Sequence, residues 1–162
     1  MLSLAMVNVW TSSEGFDEFV ARIEPALRRA LVLSFGPQAG REACIDALAW
    51  AWENWTRVSA MSNPAGYLYR VGQTCARRQI VGIGRQVGSR AGDDEMLVDP
   101  VPELMPALAG LSDQQRVAVV LVHGYGYRQT EVAAMLGVTV STLREHLRRG
   151  VVRLREVLEV TE

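Results

Sequence analysis

A dense group of arginines marks the part of the chain best suited to bind a charged ligand. Six arginines and two acids lie between residues 128 and 155, a net charge of +4, whereas the whole chain carries −1. Guanidinium groups bind phosphates and the edge of guanine through paired hydrogen bonds. The group therefore predicts contact with nucleic acid, the alternative being a solvated arginine-rich face without a ligand.

Two helices joined by a tight turn would position these arginines. A short amphipathic helix is suggested by Glu131, Val132, Ala133 and Leu136. Gly137 suits the left-handed turn that ends it, and the Thr139 hydroxyl can cap the next helix. Residues at steps of three and four give that second helix an apolar stripe, made of Leu143, Leu147, Val151, Leu154 and Leu158. The pattern predicts a helix-turn-helix whose residues 140–145 enter the major groove.

The rest of the chain also predicts helices, so the expected fold class is all-α. Apolar periodicity and turn residues indicate helices over residues 16–35, 39–58, 64–81 and 113–122, with a short helix or a turn over 105–111. Tryptophans at positions 50, 52 and 55 cannot share one side of a helix, so at least one should face outward.

A glycine- and proline-rich stretch with many acids separates two groups of helices. This composition is typical of a flexible linker. We therefore expect two small helical domains, over residues 14–81 and 105–160, joined by a linker over residues 82–104. The first domain carries its own basic run, because residues 70–90 hold five arginines and no acid.

Cysteines, histidines and apolar runs argue against metal and membrane functions. Cys44, Cys75, His123 and His146 match no zinc-binding spacing, so we expect reduced thiols, no metal and no other cofactor. No apolar run is long enough to cross a membrane, and residues 1–10 lack the basic flank of a signal peptide. We therefore expect a cytoplasmic protein without membrane insertion.

Three segments resemble one family along nearly all of residues 14–160. These segments are LSDQQRVAVVLVHGYGYRQTEVAAMLGVTVSTLREHLRRGVVRLRE, REACIDALAWAWENWTRV and NPAGYLYRVGQTCARR. They resemble region four, the polymerase-binding region and the minus-ten helix of the extracytoplasmic-function (group IV) sigma factors, members of the sigma-70 family of bacterial RNA polymerase. Ile45, Thr74 and Arg78 stand where that family usually has glutamine, asparagine and aspartate.

The resemblance implies a role for each group of residues. Polymerase-binding residues near the clamp helices would be Glu42, Asp46, Trp50 and Glu53. The minus-ten element would meet the loop 56–63 and the helix after it, through Asn63, Tyr67, Tyr69, Arg77 and Arg78. The minus-thirty-five element would be contacted by Arg128, Thr139, Ser141, Thr142, Arg144, Glu145, Arg148 and Arg149, with Arg149 and Arg153 on phosphates.

The sequence therefore predicts a promoter-specificity subunit of RNA polymerase that is not an enzyme by itself. Its expected partners are core polymerase, promoter DNA and, as the resemblance allows, an anti-sigma factor. The main alternative is a helix-turn-helix regulator that binds an operator without joining the polymerase. A helical nuclease or hydrolase is a weaker alternative, because the sequence offers no paired carboxylates beside a histidine, no phosphate-binding loop and no metal cluster.

Overall fold

A computed structural model describes residues 13–83 and 104–159, and every regular element in these ranges is helical. The chain divides into two compact units, with the boundary between Arg85 and Gln86. The predicted all-α class with two small helical domains is confirmed. Most of the predicted linker, residues 84–103, lies outside the described residues.

The first unit contains four helices: α1 (Ser13–Phe35), α2 (Pro37–Glu53), α3 (Trp55–Ser59) and α4 (Pro64–Ile83). Two of them match the helices predicted over residues 16–35 and 64–81 closely. Helix α4 begins at a cap, because the Asn63 side-chain oxygen accepts a hydrogen bond from the Gly66 amide at 3.1 Å. Pro64 then occupies the first helical position, where its missing N–H has no helical partner to lose.

The prediction of one helix over residues 39–58 is wrong, because the chain bends at Asn54. Its backbone N–H and its side-chain amide both donate to the Trp50 carbonyl, at 3.0 and 2.9 Å. Its own carbonyl accepts from the amides of Arg57 and Val58, which starts α3. Asn54 thus ends one helix and opens the next, a use to which short polar side chains are well suited.

Small residues form the buried side of α2. Gly40, Ala43, Cys44, Ala47 and Ala51 are buried, and they pack against α1 and α4. A methyl group added at Gly40 would lie 2.5 Å from the backbone of Val32 in α1, so the two helices touch there without room for a side chain. The tight connection between them uses Gly36, whose φ of 90° favours glycine.

The second unit contains α5 (Leu104–Ala109), α6 (Asp113–Val119), α7 (Gln129–Leu136) and α8 (Val140–Glu159). Ser112 caps α6: its hydroxyl accepts from the Gln115 amide, and the Gln115 side chain accepts from the Ser112 amide. The helix predicted over residues 113–122 changes character at Val120 and continues as a π-helical turn to Gly124.

Helices α7 and α8 form the predicted helix-turn-helix. Gly137 has a φ of 68°, the left-handed conformation expected of it, and the Val138 amide donates back to the Ala133 carbonyl. The Thr139 hydroxyl accepts from the Thr142 amide at 3.1 Å and so caps α8. The predicted turn and cap are confirmed.

Arg116 joins α5 to α6 from inside the second unit. Its guanidinium donates to the carbonyls of Leu108, Ala109 and Leu111, at 2.9, 3.3 and 2.8 Å. These carbonyls lie at the end of α5, where a helix leaves acceptors without internal partners. Only 17% of the Arg116 side chain is exposed, so this arginine is structural.

Replacing Gly40 with alanine should destabilise the first unit, because the added methyl overlaps the Val32 backbone. Overpacking of this kind costs about 1–3 kcal/mol. All four tryptophans lie before residue 56, so tryptophan fluorescence during urea unfolding reports on this unit. Gln38→Ala, at an exposed position of the same helix, should change the free energy of unfolding by less than about 0.5 kcal/mol. Equal midpoints for Gly40→Ala and the parent would rule out the close contact.

Replacing Arg116 with lysine should destabilise the second unit by about 1–3 kcal/mol, because one ammonium cannot reach three separate carbonyls. Far-UV circular dichroism would show the loss as an earlier unfolding phase without a tryptophan signal. Arg153→Lys is the matched control, since that side chain is 60% exposed and its ion pair with Glu156 is long, at 3.7 Å. A wild-type curve for Arg116→Lys would contradict the structural role.

Candidate nucleic-acid interface

Helix α8 buries one side and exposes a basic one. Leu143, Leu147 and Gly150 are buried against the rest of the second unit. The predicted contact residues with exposed side chains surround this seam: Ser141, Thr142, Arg144, Arg148 and Arg149. Because the buried side holds the helix in place, the polar side chains project from a rigid element, which suits the reading of base edges.

Two of the predicted contact residues have hydroxyls that already bond each other. The Thr139 hydroxyl donates to the Thr142 hydroxyl at 2.9 Å while it accepts from the Thr142 amide. Both side chains remain exposed. Thr139 therefore serves mainly as the cap of α8, and Thr142 keeps lone pairs that can accept a further hydrogen bond.

Arg144 is held by the preceding helix. Its Nε donates to the side-chain oxygen of Gln129, at 3.2 Å. Gln129 is the first residue of α7, so this contact ties the two helices of the motif together at their exposed side. Sequence reasoning missed Gln129, because its fifteen-residue separation from Arg144 carries no periodic signal.

Glu145 accepts hydrogen bonds from two arginines of its own helix. Arg148 donates through Nε and Nη2, at 3.0 and 2.7 Å, and Arg149 donates through Nε at 2.7 Å. These hydrogen bonds, first from Arg148 and then from Arg149, lower the pKa of Glu145 to about 2. The carboxylate also raises the pKa of Arg148. Glu145 is therefore a carboxylate near neutral pH.

Arg128 lies just before α7 with its side chain exposed. Its backbone N–H donates to the Glu131 carboxylate at 3.0 Å, which is one half of a capping box. Arginine has no side-chain acceptor to complete the box. The Arg128 guanidinium is therefore exposed at the start of the helix-turn-helix, where a phosphate could reach it.

In the first unit, α4 carries an exposed polar stripe. Arg70, Thr74, Arg77 and Arg78 are all exposed, and Thr74 directs its hydroxyl to the Arg70 carbonyl at 3.1 Å. The stripe contains no acid, so it can follow a phosphate backbone along about two turns of helix. Arg70 adds to the predicted set of Arg77 and Arg78.

An aromatic group lies at the start of α4. The rings of Trp50 and Tyr67 are 5.4 Å apart, and the Arg57 guanidinium lies 5.9 Å from the Trp50 ring and 5.8 Å from the Tyr67 ring. We call these three residues the Trp50–Arg57–Tyr67 group. The prediction assigned Trp50 to the polymerase and Tyr67 to DNA, whereas the structure brings them together and adds Arg57.

Tyr69 does not belong to this surface, and its predicted DNA contact is wrong. Only 4% of Tyr69 is exposed, and its hydroxyl shares a hydrogen bond with Ser34 at 2.9 Å. Tyr69 lies beside Leu68 on the buried side of α4.

The predicted polymerase-binding acids lie on the exposed side of α2. Glu42, Asp46 and Glu53 are exposed, and Asp46 accepts a hydrogen bond from the Gln79 side chain at 3.1 Å. Between them lie two large apolar residues, Ile45 at 67% exposure and Trp52 at 54%. The surface is therefore acidic and apolar together, and the exposure of Trp52 agrees with the prediction that at least one of the three tryptophans faces outward.

The Trp52 ring packs against another aromatic ring. The Phe16 ring meets the Trp52 ring edge to face at 4.9 Å and also contacts Trp55 at 5.2 Å. A supported aromatic ring loses little conformational freedom when a partner covers it, as in many protein interfaces.

Within the described residues, no three histidines, cysteines or acids come together as a metal site, and no helix is both long and apolar enough to span a bilayer. Cys44 is buried, and burial, reinforced by the charge of Glu24, raises the pKa of its thiol to about 12. Burial also raises the pKa of the Cys75 thiol. Both cysteines are free thiols that disfavour the thiolate.

Comparison with known proteins finds a family match within the second unit. The family described as Sigma-70, region 4 matches residues 103–154. No curated protein matches the chain. The fold is similar to that of the sigma factor RpoE of Bartonella quintana, solved in complex with the anti-sigma factor NepR. That match has 24% identity and a TM-score of 0.62, and it covers 91% of this chain and 98% of that chain.

The fold is also similar to that of CnrH, solved in complex with the cytosolic domain of CnrY. The identity is 19%, the TM-score is 0.59, and the match covers 98% of this chain and 96% of that chain. The capped α8, the Gly137 turn and the exposed arginines lie within the residues that match the Sigma-70, region 4 family, and the two solved structures share the fold of this chain.

Proposed function

We propose that this protein is a sigma factor that directs core RNA polymerase to specific promoters and initiates transcription. The observation that carries the proposal is the exposed basic side of α8 within a region 4 domain. In this role residues 14–81 bind polymerase and the minus-ten element, and residues 105–160 bind the minus-thirty-five element. The chain itself needs no active site, since polymerase performs the chemistry.

Upstream promoter recognition would rest on α8. Arg144 is the best candidate for reading guanine, because a guanidinium can donate to O6 and N7 together. Its bond to Gln129 orients it before DNA arrives and restricts its rotamers. Ser141 and Thr142 lie in the first turn, which enters the groove first in a helix-turn-helix. Arg128 and Arg149 suit phosphates on either side.

Polymerase binding would use the exposed side of α2. Glu42, Asp46 and Glu53 supply negative charge for basic polymerase residues, while Ile45 and Trp52 supply apolar area. An interface built from exposed ion pairs alone gains little affinity. The Trp52 side chain, largely exposed and backed by Phe16, is therefore the better source of binding energy.

Promoter opening would use α4 and the aromatic group beside it. An unpaired base can stack on an aromatic ring or on a guanidinium, and the displaced strand needs a positive track. An unpaired base would stack on the Trp50–Arg57–Tyr67 group, and the phosphates of the displaced strand would contact Arg70, Arg77 and Arg78. Asn63 caps α4 and so holds the loop against this surface.

A protein regulator is a further expected partner. The Bartonella quintana relative was solved with an anti-sigma factor, and CnrH was solved with the cytosolic domain of CnrY. By analogy, we infer that an anti-sigma factor binds this chain and that both act in the cytoplasm, where polymerase works.

Run-off transcription tests the proposal directly. Core polymerase would be combined with this protein on fragments of the source genome, and new transcripts would be mapped. Transcripts that start at a shared promoter pattern and require the protein support a sigma factor. Operator binding without any polymerase-dependent transcript would favour the regulator alternative instead.

Reversing the charges of Asp46 and Glu53 to arginine should weaken co-purification with core polymerase, because both acids lie on the exposed side of α2. The control reverses Glu156 and Glu159, which changes net charge equally on the second unit. Affinity is measured by pull-down, with a melting curve for each variant. Equal binding by both double variants, each folded, would remove the α2 surface from the polymerase interface.

Replacing Arg144 with alanine should reduce transcription from the cognate promoter and relax base preference at one upstream position. Loss of a paired base contact costs about 1–3 kcal/mol, or roughly a 5- to 150-fold fall in promoter use. Arg155→Ala, an exposed arginine later in the same helix, should lower use of all promoters evenly if it has any effect. Unaltered preference in Arg144→Ala would make Arg144 a phosphate contact.

A further inference from the structure

Three short, charge-assisted hydrogen bonds converge on one carboxylate in α8. Glu145 accepts two from Arg148, at 3.0 and 2.7 Å, and one from Arg149, at 2.7 Å. The three side chains are between 43% and 64% exposed, so DNA could reach all of them. Glu145 thus offsets part of the positive charge of Arg148 and Arg149, on a helix whose expected ligand is a polyanion.

These bonds compete with contacts to DNA. Each arginine Nε carries one hydrogen, and on both residues it is used by Glu145. The Nε–Nη2 edge of Arg148, which could otherwise hold a phosphate through two bonds, is fully occupied. Full use of both arginines on phosphates therefore requires Glu145 to give up its partners.

Glu145 then needs a new donor. In the major groove, the cytosine N4 and adenine N6 amino groups are donors, whereas guanine O6 and N7 and thymine O4 are acceptors that repel a carboxylate. DNA phosphates repel it as well. The cost of releasing the arginines is therefore offset only where the facing base presents an amino group.

We propose that Glu145 is a specificity-determining residue, which holds Arg148 and Arg149 away from DNA of arbitrary sequence and releases them where cytosine or adenine faces its carboxylate. The proposal rests on the proposed promoter recognition by α8. It adds that selectivity arises partly from weakened binding to wrong sequences, a device that specific interfaces commonly use.

The first experiment measures binding of the full chain to a duplex of scrambled sequence at several salt concentrations. Glu145→Gln should bind about three- to tenfold tighter than the parent at one low salt concentration. Its affinity should also fall more steeply with salt, by about 0.9 in logarithmic slope for each additional phosphate that the released arginines neutralise. Glu145→Ala, which removes the charge without adding an amide, should behave alike, and melting curves verify that both remain folded.

Glu156→Gln is the matched control. It removes the same charge from the same helix, but Glu156 contacts Arg153 through one long ion pair of 3.7 Å. We expect less than about a twofold change in affinity for this variant. Equal tightening by Glu145→Gln and Glu156→Gln would reduce the effect to net charge and overturn the proposal, as would no tightening in either Glu145 variant.

The second experiment adds core polymerase and a promoter library with a randomised upstream element. The parent should enrich cytosine or adenine at one position, and Glu145→Gln should lose that preference. Retention of the preference would overturn the proposal. If neither protein directs polymerase to any promoter, the proposed function fails, while the polymerase-free binding comparison still decides whether Glu145 restrains the two arginines.

Discussion

Close contact between α6 and α8 at Gly150 sets which side of the basic helix faces solvent. A methyl group at Gly150 would lie 2.7 Å from the Val119 side chain, so that side chain packs directly on the backbone of α8. Leu147 and Leu143 continue the same buried seam one and two turns earlier. With that seam fixed, Arg144, Arg148 and Arg149 can only project outward. The candidate DNA contacts therefore depend on a packing contact rather than on charge.

The exposed arginines are not left to move freely. Arg144 bonds Gln129, while Arg148 and Arg149 share Glu145. Such pairs contribute little stability at a surface, so their value lies in orientation and in restraint of non-specific attraction. The first unit shows a related arrangement, since the exposed Arg57 guanidinium lies near the rings of Trp50 and Tyr67. In both units, cations expected to meet nucleic acid have protein partners beforehand.

Sequence reasoning worked best where local chemistry decides the structure. Gly137 and Thr139 mark the turn and the cap of α8 by their residue types alone, and the leucine spacing marks its buried side. Sequence reasoning could not predict which side of α2 is buried. The buried residues there are glycine, alanine and cysteine, while Ile45 and Trp52 face outward. Hydrophobicity alone would place Ile45 and Trp52 inside and the small residues outside. The structure does the reverse, because closely packed helices have room only for small side chains between them. The Asn54 bend and the partners of Arg144 and Arg57 depend on tertiary contacts that no local pattern shows.

We expect the chain to bind a promoter tightly only when polymerase anchors both units. Each unit offers few phosphate contacts, and affinity based on them falls steeply with salt. Tethered sites reinforce each other only when their spacing is set. The most direct measurement is fluorescence anisotropy of a labelled promoter duplex at one salt concentration, with the full chain alone and with the full chain plus core polymerase. Weak binding alone and tight, sequence-specific binding with core polymerase is the expected result. Tight, sequence-specific binding by the full chain alone would contradict it.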